Sequence, residues 1–183
     1  MYVSPSYEIE LRAVISEDKY AELCSHLPSI MNLLNKESLH TRKFKKDGDD
    51  IRLRNSENRC EVVHKNGLAT DLTRKELTIN LSSVAELNSF ATLLANLNFT
   101  EDAPWITHRR DFEHSFKNQI YAISLQHTEN FAHILEVEFM AEGPEDEVEH
   151  EQNIREIISS LGCEPVNKEE FLEKIKLYGQ AKK

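Results

Sequence analysis

The stretch Tyr7-Glu8-Ile9-Glu10-Leu11-Arg12 alternates apolar and charged side chains with a period of two residues. Residues two apart in a β-strand project to the same side of the sheet. Glu8, Glu10 and Arg12 therefore share one face, and the apolar residues between them share the other. This alternation predicts a strand with one apolar face and one strongly charged face.

A second stretch near the other end of the chain, Leu135-Glu136-Val137-Glu138-Phe139, repeats the arrangement. Four carboxylates brought together repel one another unless a cation or basic groups lie among them. The strand-like segments between the two stretches carry basic residues on their charged face, namely Arg52, Arg54, Lys65 and Arg74. Acidic groups at both ends and basic groups in the middle predict a site for a metal ion together with a polyanion.

The rest of the chain shows strands in runs, with helices after the first strand, in the middle and at the end. Strands are predicted over about 7–15, 38–45, 51–54, 59–65, 72–81, 105–112, 120–126 and 133–140. Capping residues predict four helices: after Ser16, from Ser83 to about Leu97, from Pro144 to Gly162 and from Asn167. A further apolar turn is predicted over Ile30–Leu34. Turns of the chain are predicted at 47–50 and at Asn66-Gly67. This order predicts an α+β fold: an eight-stranded antiparallel β-barrel (a tunnel), or a C-shaped cup, with a charged interior and helices packed outside.

Length and composition place limits on the class of protein. At 183 residues the chain is expected to form a single domain over 1–183. The formal net charge of −10 argues against a nucleic-acid or anionic-membrane partner. The chain has no basic-then-apolar leader and no apolar run approaching about 18 residues, and its three cysteines form no CxxC motif. We therefore expect a cytoplasmic protein, and a homodimer is left open.

Alternating charge also has a simpler interpretation, an antiparallel sheet with one face in water. Exposed strands usually mix acidic and basic residues, because mixing favours solubility and cross-strand pairing. Here Arg52 and Arg54 have no acid between them, and both glutamate pairs are also unmixed. This segregation favours side chains gathered around an enclosed site.

The ordered set of charged residues resembles the CYTH superfamily, whose members are also called triphosphate tunnel metalloenzymes. The resemblance covers about Tyr7–Tyr178 and rests on Glu8-x-Glu10-x-Arg12, Arg52-x-Arg54, Lys65, Arg74-x-Glu76, Arg109 or Arg110, and Glu136-x-Glu138. The superfamily includes class IV adenylyl cyclases, thiamine triphosphatases and inorganic triphosphatases. A single ExE or RxR motif is common by chance, so it is their order that carries the resemblance.

The resemblance implies a tunnel that binds Mg²⁺ or Mn²⁺ and a small-molecule triphosphate or nucleotide. The implied metal ligands are Glu8, Glu10, Glu136 and Glu138. The implied catalytic residues are Glu8, Glu10 and Arg12. The implied phosphate-binding residues are Arg52, Arg54, Lys65, Arg74 and one of Arg109 and Arg110, of which we select Arg110. Glu76 is predicted to pair with an interior arginine, and Glu61 to neutralise a neighbouring base.

The chain departs from the superfamily pattern at positions that bear on catalysis. Arg12 stands where the first motif usually ends in lysine, and Gln126 stands where an aspartate commonly lies. The glycine-rich link before the last motif is replaced by 127–130. These changes are compatible with anion binding and weaken the case for turnover. We expect a divalent-metal-dependent phosphohydrolase acting on inorganic or organic triphosphates. The alternatives are a class IV adenylyl cyclase that converts ATP to cyclic AMP and pyrophosphate, and a non-catalytic polyphosphate- or nucleotide-binding module.

Overall fold

A computed structural model describes residues 6–66, 72–141, 143 and 147–181. The strands are β1 (Ser6–Ile15), β2 (Asn32–Lys46), β3 (Asp49–Asn55), β4 (Cys60–Asn66), β5 (Thr73–Asn80), β6 (Thr100–Glu101), β7 (Trp105–Phe116), β8 (Gln119–Thr128) and β9 (Ala132–Ala141). The helices are α1 (Glu17–Ile30), α2 (Val84–Asn96), α3 (Glu147–Ser160) and α4 (Lys168–Ala181). The protein is therefore an α+β protein, as predicted.

Eight antiparallel strands form a hydrogen-bonded ring in the order β3-β4-β5-β1-β9-β8-β7-β2. Pairing of β2 with β3 closes the ring, from His40 opposite Asn55 to Lys46 opposite Asp49. The short strand β6 lies outside the ring and extends the sheet beside β2. The predicted eight-stranded antiparallel tunnel is confirmed, although the ring is not evenly barrel-shaped.

The apolar core lies outside the ring, between the strands and the helices. In β1, Ile9 and Ala13 are fully buried and pack in one cluster with Ile154, Ile157 and Ile158 of α3. A second cluster joins α2 to β2, β3 and β4. Because the apolar face of each strand points outward to the helices, the charged face must point into the ring. No helix in the described part of the chain is both long and apolar enough to cross a membrane.

The start of β2 differs from the prediction. The apolar turn predicted over Ile30–Leu34 is wrong, because α1 ends at Ile30 and β2 already begins at Asn32. Pairing with β7 from Asn32 opposite Glu113 satisfies this backbone and overrides local helical spacing.

The turn predicted at 47–50 is also shorter than expected. Asp47 and Gly48 form the turn, both with positive φ, while Asp49 and Asp50 already belong to β3. In that position Asp50 is opposite Lys65 of β4. Gly67 of the predicted Asn66-Gly67 turn and the predicted helix start Pro144 lie outside the described residues.

Candidate functional site

Three glutamates from neighbouring strands meet inside the ring. Glu8 and Glu10 lie on β1, and Glu10 is directly opposite Glu138 of β9. Each of the three offers a carboxylate oxygen, and these atoms lie within 4.8 Å of one another. Carboxylate oxygens are the ligands that Mg²⁺ and Mn²⁺ prefer. The structure thus brings three of the four predicted metal ligands into one acidic cluster, defined as Glu8, Glu10 and Glu138.

The fourth predicted ligand, Glu136, is held by other groups. Arg12 Nε donates to Glu136 Oε2 at 2.6 Å, and Gln126 Nε2 donates to Glu136 Oε1 at 3.0 Å. The Nη2 atom of Arg12 also lies 2.5 Å from Glu10 Oε2. Arg12 therefore bridges Glu136 to the acidic cluster, and Arg12 and Gln126, which both depart from the superfamily pattern, contact the same carboxylate.

Burial and neighbouring charges shift the pKa values of these glutamates in different directions. Burial, together with the nearby carboxylates of Glu8 and Glu136, raises the pKa of Glu138 well above its usual range. Burial and Glu10 also raise the pKa of Glu8. For Glu136, burial favours a higher pKa, but the guanidinium of Arg12 outweighs it and holds the pKa below its usual range. Burial and mutual repulsion thus disfavour the charged forms of Glu8 and Glu138, and a divalent cation bound among the carboxylates would favour those charged forms.

Basic side chains surround the acidic cluster. Lys65 Nζ lies 2.6 Å from Glu8 Oε2 and 2.8 Å from Glu76 Oε2. Arg74, which is fully buried, contacts Glu10 through Nη2 and is directly opposite Glu8. Glu76 thus pairs with a lysine, and the prediction that it pairs with an arginine is wrong.

The other predicted arginines of the middle strands also lie inside the ring. Arg52 pairs with Asp50, and Arg54 Nη1 lies 3.5 Å from Glu61 Oε1. Glu61 is also within 3.7 Å of Arg59, so its predicted role in neutralising a neighbouring base is confirmed. Arg52, Arg54, Lys65 and Arg74 therefore share the interior with the acidic cluster.

The selection of Arg110 over Arg109 is wrong. Arg110 Nη1 donates to the backbone oxygen of Cys24 in α1, on the outer face of β7. A cleft of about 720 Å³ is lined by both Arg109 and Arg110, so the cleft itself does not distinguish the two arginines. Arg109 instead faces the ring and lies 2.6 Å from Asp111 Oδ1 through Nη2. The reason is strand phase, since neighbouring residues of a strand point to opposite faces.

Several interior charged residues were missed from the sequence. Lys43 of β2 lies opposite Arg52, Glu37 of the same strand contacts Arg59, and Asp111 contacts Arg109. Asp111 lies two residues after Arg109 and therefore on the same face of β7, so selecting Arg109 instead of Arg110 would have pointed to it. Lys43 and Glu37 had no such signal, because they lie on a strand with no predicted site residue.

Some interior guanidinium nitrogens have no acceptor. Arg74 Nε and Nη1, Arg54 Nε and Arg59 Nε are buried and make no hydrogen bond within the described residues. A buried donor on a charged group is costly to leave unpaired and is normally satisfied by an acceptor. These nitrogens could donate to the oxygens of a bound anion.

No protein-family model and no curated protein matches this sequence. Solved structures do match its fold. A proposed adenylate cyclase from Vibrio parahaemolyticus superposes with a TM-score of 0.69 at 14% identity, over 93% of this chain and 99% of that chain. HpAC1 from Hippeastrum, a proposed adenylyl cyclase described as having a dominant triphosphatase activity, superposes with a TM-score of 0.61 at 14% identity, over 93% and 95% of the two chains.

A chain in the Mediator head module of Schizosaccharomyces pombe also matches, with a TM-score of 0.61 at 13% identity, over 88% of this chain and 98% of that chain. Identities this low establish the fold alone, and one fold can serve unrelated functions. The near-complete coverage shows that this chain shares the fold of these structures, and its eight-stranded ring with a charged interior is the tunnel that the resemblance to the CYTH superfamily implied.

Proposed function

We propose that the interior of the ring binds a triphosphate together with Mg²⁺ or Mn²⁺, and that the protein is a metal-dependent phosphohydrolase acting on inorganic or organic triphosphates. One observation carries the proposal: the acidic cluster and buried guanidiniums with unpaired donors lie in the same interior. The triphosphatase activity described for the Hippeastrum protein supports hydrolysis among the reactions of this fold.

In this proposal Glu8, Glu10 and Glu138 hold the metal, with Glu136 as the further predicted ligand. A divalent cation there would neutralise charge on the phosphoryl oxygens and orient an attacking water. The arginines at 52, 54, 74 and 109 would bind phosphate oxygens, since a guanidinium donates to them in pairs, and Lys65 would add a compact charge.

Arg12 would position the neighbouring glutamates through its fixed positive charge. Burial alone would lower its pKa, but Glu10 and Glu136 raise the pKa of the guanidinium above its ordinary value. Arg12 therefore stays protonated, so it cannot accept a proton from water. Its proposed catalytic part is to hold Glu10 and Glu136 in place beside the metal.

The contacts of Arg12 also favour a second candidate, a triphosphate- or nucleotide-binding module without turnover. Arg12 and Gln126 together occupy both oxygens of Glu136. A carboxylate engaged in this way is less available to a metal or to an attacking water. Binding with no product would identify this second candidate.

A product assay tests the proposal. Purified protein is incubated with tripolyphosphate, thiamine triphosphate or ATP in Mg²⁺ or Mn²⁺, and the products are identified. We expect release of orthophosphate. Cyclic AMP and pyrophosphate from ATP would instead identify a class IV cyclase, and a failure to bind any of the three compounds would refute the whole proposal.

Two neighbouring arginines provide a matched pair for the same assay. Arg109→Ala removes an interior base and is expected to weaken tripolyphosphate binding by about tenfold. Arg110→Ala removes the same side chain from the outer face and is expected to leave binding unchanged. Binding is measured by calorimetry, with circular dichroism as a control for folding. An equal effect of the two changes would contradict the proposed binding surface.

A further inference from the structure

Asp50 occupies the position in which an anion would be expected. Its carboxylate accepts from Arg52 Nε at 3.0 Å and from Arg52 Nη2 at 2.9 Å, so the guanidinium binds both of its oxygens. Lys43 Nζ donates to the same carboxylate at 2.8 Å. A guanidinium grips a phosphate group with this same two-bond geometry. Asp50 thus satisfies two bases that a phosphate would otherwise contact.

The contacts of Asp50 with Arg52 and Lys43 are buried, and they strongly favour the charged form of the Asp50 carboxylate. The side chain of Asp50 is 7% exposed. Burial alone would raise the pKa of Asp50, but Arg52 and then Lys43 outweigh it and hold the pKa far below its usual range. The carboxylate is therefore a permanent negative charge inside the ring at neutral pH.

The same pattern recurs beside other interior arginines. Arg109 is paired with Asp111, and Arg54 with Glu61, and neither acid belongs to the acidic cluster. Arg109 therefore has its own counter-charge, whereas Arg54 shares Glu61 with Arg59. A free polyanion that enters the ring must displace these carboxylates and then lie beside them, where like charges repel. The net charge of −10 on the chain adds to this repulsion.

We propose that Asp50 is a specificity-determining residue that makes the interior accept a triphosphate only as its divalent-metal complex. Bound cations cancel much of the charge of the triphosphate, so the complex can lie among paired bases without a large excess of negative charge. Free polyphosphate lacks these cations and is excluded. The inference rests on the proposed triphosphate binding, and it adds the chemical form of the ligand and the residue that selects it.

Calorimetric titration with tripolyphosphate, in Mn²⁺ and separately in EDTA, tests the inference. Wild-type protein is expected to bind in Mn²⁺ and at least a hundredfold more weakly in EDTA. Asp50→Asn keeps the shape of the side chain but removes its charge. We expect it to improve binding in EDTA by roughly tenfold to a hundredfold, which is the effect of releasing a charge-assisted contact.

Asp49→Asn is the matched control. It removes the same charge one residue earlier in β3, but Asp49 is 45% exposed and pairs with His64 on the outer side. We expect this variant to bind like wild type. If Asp50→Asn does not fold, as judged by circular dichroism, Asp111→Asn provides the second test, because it frees Arg109 by the same logic.

Each possible result of these titrations either supports or overturns the proposed role of Asp50. A gain of EDTA-resistant binding in folded Asp50→Asn, and not in Asp49→Asn, supports the inference. If Asp50→Asn does not fold, the same gain in Asp111→Asn supports it. A folded Asp50→Asn that shows no gain overturns the inference, as does an Asp111→Asn without gain where Asp50→Asn does not fold. Wild-type binding that is equal with and without metal also overturns it. In each of these cases the proposed triphosphate site survives. If wild-type protein binds no tripolyphosphate even in Mn²⁺, the proposed function itself fails and the inference fails with it.

Discussion

Glu138 has the most unfavourable electrostatic surroundings of the acidic cluster. It forms no ion pair with any described residue, whereas Glu8 pairs with Lys65 and Glu10 with Arg12 and Arg74. Burial and two neighbouring carboxylates raise its pKa well above the usual range. A cation at this point would remove that penalty, so Glu138 should contribute strongly to metal affinity.

We predict that Glu138→Gln weakens Mn²⁺ binding by about tenfold or more, and that Glu136→Gln has a smaller effect. The two changes are equivalent in size and charge. They differ because both oxygens of Glu136 already accept from Arg12 and Gln126. Calorimetry with Mn²⁺ alone measures the effect without any substrate. A larger loss in Glu136→Gln would show that Glu136 is the principal ligand.

The lowered pKa of Asp50 implies that the free energy of unfolding depends on pH. Its folded-state pKa lies below the ordinary value of 3.8, so the charged form stabilises the fold. That contribution is fully present above the unfolded pKa and is lost as the pH falls through the folded pKa. Asp50→Asn should therefore lower the free energy of unfolding by about 1–3 kcal/mol at pH 7.

The difference between wild type and Asp50→Asn should narrow as the pH falls below about 3.8, since the unfolded wild-type chain then takes up a proton. Urea unfolding at pH 7 and at pH 3 measures both values. Asp49→Asn, with its exposed side chain, serves as the control. A difference that does not change with pH would mean that Asp50 stabilises the fold by some means other than its charge.

For individual residues, the sequence predicted well which types of side chain line the site, and it predicted less well which residues contact one another. Glu8, Glu10 and Glu138 lie on the charged faces of their strands, as the two-residue alternation predicted, and the pairing of β1 with β9 brings them together. Arg109 was missed because one residue of uncertainty in strand phase exchanges the inner and outer faces. Asp50 was missed because Asp47-Gly48-Asp49-Asp50 has the composition of a turn, and the pairing of β3 with β2 and β4 converts its second half to strand.

Among the elements, α3 and α4 differ most in how they are held. Three isoleucines of α3, at 154, 157 and 158, are fully buried against the ring. In α4, Phe171 is the buried apolar residue among the described side chains, and Leu172 and Leu177 are 40% and 59% exposed. The ring of Phe171 packs near Phe131, and the guanidinium of Arg12 lies 5.6 Å from its centre. The anchor of α4 therefore adjoins the proposed site.

We predict that backbone amides of α4 exchange with deuterium much faster than those of α3, because less apolar area must be exposed to open α4. Phe171→Ala should speed exchange in α4 further and leave α3 unchanged. Hydrogen–deuterium exchange read by mass spectrometry distinguishes the two helices. Equal protection of α3 and α4 would show that α4 opens only with the whole fold.

For the molecule as a whole, ring closure and core placement are linked. An antiparallel ring leaves the eight ring strands without an exposed edge, and the apolar faces are covered by helices from outside. The interior is then free to carry charge, provided that the basic side chains there have acidic partners. That condition explains why acids outside the acidic cluster accompany the interior bases.

Local alternation was enough to predict most strands, the charged faces that carry the glutamate pairs, and the order of acidic and basic segments, because a period of two residues is a local property of the backbone. Tertiary structure alone decided which distant groups meet, such as Arg12 with Glu136 across β1 and β9, or Lys43 with Asp50 across β2 and β3. Those contacts depend on strand register, which is set by hydrogen bonding between segments far apart in the chain.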